Sequence, residues 1–475
     1  MKRVTTLLLL ILANSLFGND TAEKRPPNFL FFLSDDQLKA DYGCYGSTQV
    51  HTPTIDAIAK EGLLFNKAFT AEAICAPSRS VLFSSLYPIK NGCFINHTES
   101  RKGIKTAFDY LTPLGYEVVL AGKVHVKPKE VYRWSTRWKE VRIKGKRRPV
   151  IPMKEIDNYL ANVGEQKFCL FVTSELPHGP YPKKPEYDPK AVQLHPYQKD
   201  GEKIRQSIAG YFDHIKEKDQ EVANVLTSLK KHGHEENTVF IYASDHGNGI
   251  GAKFTVYDRG LNIPFIVKWP GVIKPNTKTD ALISFVDVIP TFVDIAGGGK
   301  LAGVDGKSFL PVLKNETSVH NDYVYGLMTN QGIWQCHIFP QRSIRGPKWH
   351  YIRNFNSEER VAWEEATGKE VNPFMKIALK RHKGQPEEEL YDTENDPWEL
   401  NNLASNPEYA EIKQQMKKQL FIWMEGQNDF LTENGDIPLL KTKHPLDENS
   451  KLNKVPSHLL GTITNYVDPH EITAQ

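Results

Sequence analysis

Five short stretches of this chain carry residues that can ligate a cation, move a proton or hold an anion. Ser34-Asp35-Asp36 sets two carboxylates side by side directly after the apolar run Phe29-Leu30-Phe31-Phe32-Leu33. Cys75-Ala76-Pro77-Ser78-Arg79 places a thiol two residues before a proline and four before a guanidinium. Gly122-Lys123-Val124-His125, Pro177-His178 and Ser244-Asp245-His246-Gly247 also follow apolar runs, and Lys253 lies a little beyond the last. Adjacent carboxylates at a strand end can both turn toward one hard cation, which takes several oxygen ligands in irregular geometry. Asp245 and His246 can complete such a site. A histidine ligand suits Zn2+ as well as Ca2+, so the residues alone leave both metals open. Gly247 and Gly249 would let backbone approach a ligand closely. Any one of these stretches is equally at home in a solvated turn; it is their number that points to a site.

The stretches, in this order, resemble the type I, formylglycine-dependent sulfatases of the alkaline-phosphatase-like superfamily. The resemblance covers nearly the whole mature chain. Its blocks are Ser34-Asp35-Asp36, Gly43-Cys44-Tyr45-Gly46, Thr52-Pro53 through Gly62, Cys75 to Arg79, and Gly122 to His125. Pro177-His178, Ser244 to Gly247, Lys253 with Tyr257 to Gly260, and Pro264 to Gly271 follow. Near the end come Glu389-Leu390-Tyr391-Asp392, Asn395-Asp396-Pro397 and Asn402-Leu403-Ala404.

The resemblance implies roles position by position. Cys75 would be oxidised to Cα-formylglycine (3-oxoalanine) by a formylglycine-generating maturation enzyme, and the hydrated aldehyde would be the nucleophile. Asp35, Asp36, Asp245 and His246, with residue 75 itself, match the positions that hold one divalent cation, usually Ca2+. Position 246 is often Asn in relatives. Asp245 would take the attacking hydroxyl's proton. Arg79 and Lys123 would stabilise the hydrate and the sulfate charge. His178 and Lys253 match positions that bind sulfate and assist the leaving oxygen, and His125 matches the base that removes the second hydroxyl proton. A sugar alkoxide is a poor leaving group, so positive charge and a proton donor near it are what the chemistry needs. A sulfated hemiacetal can collapse by carbon–oxygen cleavage, which a sulfated serine or cysteine cannot do. A helix beginning near Pro77 would add the anion preference of its N-terminus, worth up to about a kcal/mol. One departure from the family pattern is Leu82-Phe83-Ser84-Ser85-Leu86, where relatives carry a Leu-Thr-Gly-Arg-like segment.

The elements that must position these residues show in the hydrophobic pattern. Phe29–Leu33, Val118–Ala121, Phe168–Val172 and Thr238–Tyr242 are short uninterrupted apolar runs, as buried strands of a largely parallel sheet are. Ligands bind beyond the carboxyl ends of such strands, which is where the polar residues fall. Thr52-Pro53 starts a helix with Ile55, Ile58 and Ala59 on one face and Gly62 as its stop. A long helix over 204–231 carries a core-facing stripe and is capped at Gly233. Residues 301–314 read as a linking segment. Residues 323–328, 342–354 and 389–392 then read as short strands and 408–426 as a helix. The expected fold class is therefore α/β: an alkaline-phosphatase-like, mixed but largely parallel sheet sandwiched by helices, plus a smaller α+β C-terminal domain with a short antiparallel sheet. The expected division is 1–22 signal peptide, 25–317 catalytic domain, and 318–475 C-terminal domain with a polar wrapping tail beyond Asn428.

The 475 residues are 40% hydrophobic and 25% charged, ordinary for a soluble globular protein. A formal net charge of +3 gives no global polyanion signature, and no nucleic-acid partner is expected. Lys2 and Arg3 precede an apolar run, Leu7 to Ala13, too short to span a bilayer and suited to a cleaved signal peptide. Export to the periplasm or beyond, without stable membrane insertion, is expected; in a eukaryotic host the destination would be lysosomal or extracellular. Of the five cysteines, conversion of Cys75 leaves Cys44, Cys93, Cys169 and Cys336, open to two disulfides or none, and Cys169, in an apolar run, reads as a buried free thiol. Asn96-His97-Thr98 and Asn315-Glu316-Thr317 are sequons, about as many as chance gives in this length.

Between Tyr132 and Arg148 basic residues interleave with aromatics. Arg133, Trp134, Arg137, Lys144, Arg147 and Arg148 are candidate contacts for a sulfated glycan, the cations pairing with sulfates and tryptophan stacking on sugar. A solvated surface loop accounts for the same composition. The leading expectation is a sulfuric ester hydrolase acting on a carbohydrate sulfate. Beside it stand a phosphate or phosphonate ester hydrolase of the same superfamily and a non-catalytic glycan-binding protein whose Cys75 is never converted.

Overall fold

The computed structural model describes residues 25–329, 340–355, 386–429 and 431. The expected signal peptide, Cys336 and almost all of the expected C-terminal tail lie outside the described residues.

Nine strands form the main sheet: β1 (Asn28–Asp35), β2 (Leu63–Phe69), β3 (Tyr116–Gly122), β4 (Thr136–Trp138), β5 (Lys167–Pro177), β6 (Thr238–Ser244), β7 (Asn262–Lys268), β8 (Thr277–Thr279) and β9 (Ile283–Ser284). Their spatial order is β4-β3-β5-β1-β6-β7-β2-β8, with β9 also pairing β2. β3, β5, β1 and β6 run parallel, so their carboxyl ends share one edge. β7 is antiparallel to both β6 and β2, which makes the sheet mixed.

The helices are α1 (Pro53–Glu61), α2 (Cys75–Ser84), α3 (Pro88–Asn91), α4 (Ala107–Leu111), α5 (Met153–Asn162), α6 (Glu202–Lys231), α7 (Asp258–Leu261), α8 (Val288–Ile295), α9 (Leu310–Leu313) and α10 (Ala410–Gly426). α2, α4 and α8 cover one face of the main sheet and α1, α5 and α6 the other. The period-two alternation of β1 shows why: Phe29, Phe31 and Leu33 join a core with Val81 and Phe83 of α2 and Ile289 and Phe292 of α8. Leu30 and Phe32 join a second core with Ile55 of α1, Leu160 of α5 and Val222, Val225 and Leu229 of α6. Every β1 residue is buried, as a strand covered on both sides requires.

The expected helix stops appear where the chemistry placed them. α1 buries Ile55, Ile58 and Ala59 and ends before Gly62. α6 ends in a left-handed turn, with Gly233 at φ 78° and His234 N–H donating to Leu229 O at 3.0 Å. Two expectations are corrected. The helix anticipated near Pro77 starts at Cys75, because Pro77 is tolerated in a first turn where its missing N–H has no helical partner. The linking segment 301–314 contains a short helix, α9, whose Val312 and Leu313 pack into the first core.

A second sheet, β10 (Val324–Met328), β11 (Gln341–Arg345), β12 (Trp349–Asn354) and β13 (Glu388–Asp392), is antiparallel throughout, with α10 on one face. Its other face packs on the loop that carries Lys253, through Phe254 and Val256 against Val324, Met328, Ile352 and Tyr391. Glu389 accepts from Tyr257 Oη at 2.9 Å, and Glu399 accepts from the Asp258 amide at 2.7 Å. The C-terminal motif thus anchors a site loop. No helix among the described residues is long and apolar enough to cross a membrane. Cys44, Cys75, Cys93 and Cys169 are free thiols, and Cys169 is buried.

Candidate active site

The carboxyl ends of β1, β3, β5 and β6 deliver the polar residues to one place. Asp35 is the last residue of β1, and Asp36 follows it at φ 64°. Backbone in this left-handed region lets consecutive side chains turn to the same side, at a strain of about 1–3 kcal/mol for a residue with a Cβ. Asp36 is pinned there by its own N–H, which donates to Asp245 Oδ1 at 3.1 Å. Gly122 ends β3 at φ 114°, and a Cβ there would meet Thr173 O at 2.1 Å; only glycine lets the chain turn Lys123 into the site. Gly249 faces the site, where an added Cβ would lie 3.3 Å from Asp36 Oδ2. Gly247 serves a different end from the one expected: its bare Cα packs against Arg259 O.

Cys75 stands at the first turn of α2 with Sγ inside this ring. Sγ lies 3.1 Å from Lys253 Nζ, 3.3 Å from His246 Nε2, 3.4 Å from Asp35 Oδ1 and 3.8 Å from Asp36 Oδ1. One turn on, Arg79 is wholly buried. Its Nε and Nη2 each lie 3.1 Å from Asp245 Oδ2, and its Nη1 donates to Lys123 O at 3.0 Å. Ser78 Oγ donates to Asp245 O at 2.6 Å and accepts from Thr70, which ties the helix start to the end of β6. Lys123 Nζ pairs with Asp35, and Lys253 Nζ lies 2.8 Å from Asp36 Oδ1. His178 Nε2 is 3.6 Å from Asp36 Oδ2, while its Nδ1 meets Gly179 O at 2.5 Å. The structure therefore brings Asp35, Asp36, Cys75, Arg79, Lys123, His178, Asp245, His246 and Lys253 together.

Burial and counter-charges set the proton affinities. Burial would raise Asp35, but Lys123, His178 and Arg79 outweigh it and hold the carboxyl well below its usual range. The same contest, against His178 and Lys253, leaves Asp36 at about 2. Burial and Asp35 push the Cys75 thiol up; Lys123 and Lys253 reverse this and bring it to about 6. Asp245 is pushed by burial up to about 8 against the pull of His246 and Arg79. Both its oxygens accept hydrogen bonds, from Asp36 N and from Arg79, so the ion pair holds it as a carboxylate of high proton affinity. Burial lowers His246, and Asp245, Cys75 and Asp36 raise it further, to about 9. His125 is driven well down by burial and then by Lys123 and Arg79, which keeps it neutral.

The donor set could hold a divalent cation. Asp35, Asp36, Cys75 and His246 are all buried and each offers an atom within 4.8 Å of the others. Asp245 falls outside that group, its Oδ1 3.6 Å from His246 Nε2 and its Oδ2 held by Arg79. A second cluster, Asp258, His350 and Glu399, is engaged structurally instead: Arg345 Nε and Nη2 lie 3.1 Å from Asp258 Oδ1 and Oδ2, and His350 pairs with Glu399.

Asn96 and His97 escaped the sequence reading because they are polar residues in a loop with no strand to announce them. Asn96 Oδ1 accepts from the Ala76 amide in the first turn of α2 at 3.3 Å, its Nδ2 lies 3.3 Å from His97 Nε2, and His97 Nδ1 lies 2.9 Å from His125 Nε2. His97 and His125 both have left-handed backbones, at φ 65° and 50°. The only advance signal was the sequon itself, and Asn96 is too deeply buried to be a glycan acceptor. Tyr181 was missed too; an added Cβ on Gly249 would be 3.7 Å from its hydroxyl.

The basic segment divides. Arg137, Lys144 and Arg147 are exposed, and Arg148 pairs with Glu175. Trp134 is half-buried against the first core, its ring near-perpendicular to Phe83 at 5.1 Å and to Phe171 at 6.0 Å. Arg133 pairs with Asp109 and lies 4.7 Å over the Phe108 ring. Trp134 leads into β4, which pairs with β3 at the sheet edge and draws the ring inward, while Arg133 stays exposed.

The family model described as Sulfatase matches residues 27–298, and that described as N-sulphoglucosamine sulphohydrolase, C-terminal, matches residues 248–372. An "Ulvan-active sulfatase" of Formosa agariphila is 45% identical over 461 residues, 95% of this chain and 92% of that one. The human "N-sulphoglucosamine sulphohydrolase" is 25% identical, covering 85% of this chain and 91% of its own. Among solved structures, a "2-O GAG sulfatase" superposes with a TM-score of 0.68 at 23% identity, covering 85% of this chain and 93% of that one. The phosphonate monoester hydrolase of Agrobacterium radiobacter shares the fold at a TM-score of 0.65 and 18% identity, over 84% of this chain and 96% of that one.

Proposed function

The chain belongs to the sulfatase family, and on that premise we propose that it hydrolyses sulfate esters on a sulfated polysaccharide, with residue 75 matured to formylglycine and Ca2+ as its metal. The observation that carries this reading is the position of Cys75 Sγ. It sits at the N-terminus of α2, within 3.1–3.8 Å of Lys253, His246, Asp35 and Asp36. Nothing in that ring needs a thiol as such. It suits a nucleophile whose partner is an anion.

A formylglycine hydrate at residue 75 would supply an oxygen nucleophile, and Asp35, Asp36, residue 75, Asp245 and His246 would hold a cation that would supply Lewis-acid charge. The remaining chemistry belongs to the side chains. Lys123 and Lys253 place two ammonium groups where a sulfate's oxygens would lie, neutralising charge in a water-poor cleft. Arg79 does not face the sulfate first. It holds Asp245, which the resemblance implies takes a proton from residue 75. His178 donates from Nδ1 to Gly179 O and burial lowers its pKa, so its neutral ring presents a bare Nε2, which can protonate a leaving sugar oxygen only after it has itself taken up a proton. His125, kept neutral by its cationic neighbours, serves the second hydroxyl.

The substrate class rests on the relative that acts on ulvan, 45% identical across nearly both chains, and on exposed Arg137, Lys144 and Arg147 beside the sheet edge. We place the catalytic domain at 25–317 and the smaller domain from 318, with export directed by 1–22. Mass spectrometry of the Cys75 peptide from the native host, with release assays on sulfated glycans, aryl sulfate and a phosphonate monoester, tests the reading. A formylglycine mass with sulfate release is expected. Unmodified cysteine with no release, or faster phosphonate cleavage, would overturn it.

A further inference from the structure

Four donor atoms of three kinds converge where α2 begins. They are Cys75 Sγ, His246 Nε2 and one carboxylate oxygen each from Asp35 and Asp36, all on buried residues and all within 4.8 Å of one another. Sγ is 3.3 Å from His246 Nε2, 3.4 Å from Asp35 Oδ1 and 3.8 Å from Asp36 Oδ1, and His246 Nε2 is 3.3 Å from Asp36 Oδ1. A tetrahedral Zn2+ with Zn–S near 2.3 Å and Zn–N and Zn–O near 2.0–2.1 Å sets its ligands about 3.6 Å apart from sulfur to nitrogen or oxygen, and about 3.4 Å apart from nitrogen to oxygen. Each of the four separations lies within about 0.3 Å of the matching edge. The groups behind the donors are those that such an ion needs. His246 Nδ1 meets Gly247 O at 2.8 Å; a carbonyl only accepts, so Nδ1 carries the hydrogen and Nε2 is the nitrogen that can ligate. Lys123 holds the other oxygen of Asp35 and so turns Oδ1 toward the sulfur. Lys253 Nζ lies 3.1 Å from Sγ and 2.8 Å from Asp36 Oδ1, where it favours thiolate and carboxylate together. A hard cation is served less well by these atoms, since Ca2+ takes about six to eight oxygens and a thiol is a soft ligand.

We propose that the folded chain with Cys75 unconverted is a zinc protein, in which Asp35, Asp36, Cys75 and His246 bind one Zn2+, and that conversion of residue 75 is what turns the site over to a hard cation. The zinc site stands on the distances; only the turnover rests on the sulfatase reading, which makes Cys75 the residue converted. Binding expels the thiol proton, and any proton on His246 Nε2, to solvent, and no electron moves. Maturation then exchanges a thiolate, which selects Zn2+, for oxygen, which suits Ca2+. Asp35, Asp36 and His246 are the same in both forms, so one atom of residue 75 decides the metal. Four protein ligands close a tetrahedral site and leave no position for water, so the zinc form is catalytically silent. A chain that escapes conversion is therefore not an empty precursor. Its thiolate is committed to the ion and shielded from alkylating and oxidising reagents.

The test is metal binding by the full chain made without a maturation enzyme and stripped with chelator. Zn2+ is titrated against a chromophoric chelator and Ca2+ by calorimetry. One Zn2+ per chain is expected, held about a hundredfold or more tighter than Ca2+; Ca2+ bound as tightly as Zn2+ overturns the proposal. Co2+ serves as the spectroscopic probe and should give the intense visible bands of a tetrahedral site with a near-ultraviolet thiolate-to-metal charge-transfer band. Zn2+ should also block alkylation of Cys75 by iodoacetamide, read from the peptide mass. A Co2+ spectrum without charge transfer, or alkylation undiminished by Zn2+, refutes sulfur ligation without recourse to a variant. Cys75→Ser should lose the band and weaken Zn2+ by about a hundredfold or more while Ca2+ changes by no more than about threefold; an unchanged Zn2+ affinity would put the ion elsewhere. Cys44→Ser removes a free thiol outside the site and should leave Zn2+ binding intact, and its loss there would equally refute the assignment. The converted chain, identified by its formylglycine mass, should show the Zn2+ preference lowered by about a hundredfold; an unchanged preference would overturn the turnover. Failure of the converted chain to release sulfate would instead sink the sulfatase reading, and the zinc site would still stand.

Discussion

Replacing Arg79 with Met keeps most of the side chain's volume and removes one buried charge. In the native site the guanidinium lies 3.1 Å from Asp245 Oδ2 through both Nε and Nη2, and 3.8 Å from Asp35 Oδ1 through Nη2. None of the three side chains has solvent access, so water cannot take over the lost contacts. Breaking a buried pair by removing one partner costs about 3–5 kcal/mol, because the other charge stays buried and uncompensated. Unfolding entropy near 2.1 cal/mol/K per residue, over about 450 residues, converts this to a fall in Tm of roughly 3–5 °C. A bound divalent cation compensates Asp245 in part, so the deficit should be larger in chelator than in Ca2+. Activity should fall further than stability: loss of a preorganised electrostatic partner at a reacting centre costs on the order of 10²–10³ in kcat/KM. Arg79→Lys should regain much of the Tm but little of the activity, since a lysine cannot reach Asp245 and the Lys123 carbonyl with one fork. Differential scanning calorimetry with and without chelator, and kinetics on one sulfated substrate, decide it. An Arg79→Met protein melting within about 1 °C of wild type in chelator, and keeping more than a tenth of its activity, would refute the assignment of Arg79 as the counter-charge of Asp245.

Other perturbations separate structural from functional residues. Trp134→Ala should cost about 2–4 kcal/mol of stability with no change in KM on polymer, whereas Lys144→Ala with Arg147→Ala should raise KM on polymer and not on a small aryl sulfate; a KM effect from Trp134 would restore it as a sugar platform. Lys218 is buried between Tyr42 and Tyr242, and burial lowers its pKa from 10.5 to about 7. Between pH 7 and 10.5 the unfolded chain therefore binds a proton that the folded one does not, so Lys218 contributes a stability that rises with pH across that window, by at most about 1.4 kcal/mol per pH unit. Lys218→Met should flatten that rise and stabilise the protein at pH 6, read from urea midpoints; an unchanged slope would mean that Lys218 stays charged in the fold. Chelation should abolish sulfate release and lower Tm, and a metal present at about 100 times its Kd should return roughly 2.7 kcal/mol; equal activity in chelator and in metal would remove the cation from the reading.

Much of the site was legible in the sequence because it follows from local rules. Uninterrupted apolar runs make strands buried on both faces, and residues just past their carboxyl ends share one edge when the strands are parallel. That brought Asp35, Lys123, His178 and Asp245 together before any coordinates. Gly62 and Gly233 ended α1 and α6 where only glycine or a turn fits, whereas the stacking of Arg79 one turn below Cys75 came only with the structure, because the helix begins at Cys75 rather than near Pro77. The C-terminal motif of residues 389–404 was visible as a motif, but its use was not: it anchors the loop of Lys253 through Glu389 and Glu399. What the tertiary structure decided are contacts between segments with no pattern in common. Trp134 sits beside basic residues in sequence and reads as a sugar platform, yet β4 pairs with β3 and turns its ring against the core. Asn96 and His97 carry no periodicity and no strand, so nothing local distinguishes them from any polar loop. Only the packing of that loop over the start of α2 sets an amide against Ala76 and an imidazole against His125. Hydrophobic periodicity is a property of neighbours along the chain; hydrogen-bond direction between loops exists only once the chain has closed on itself.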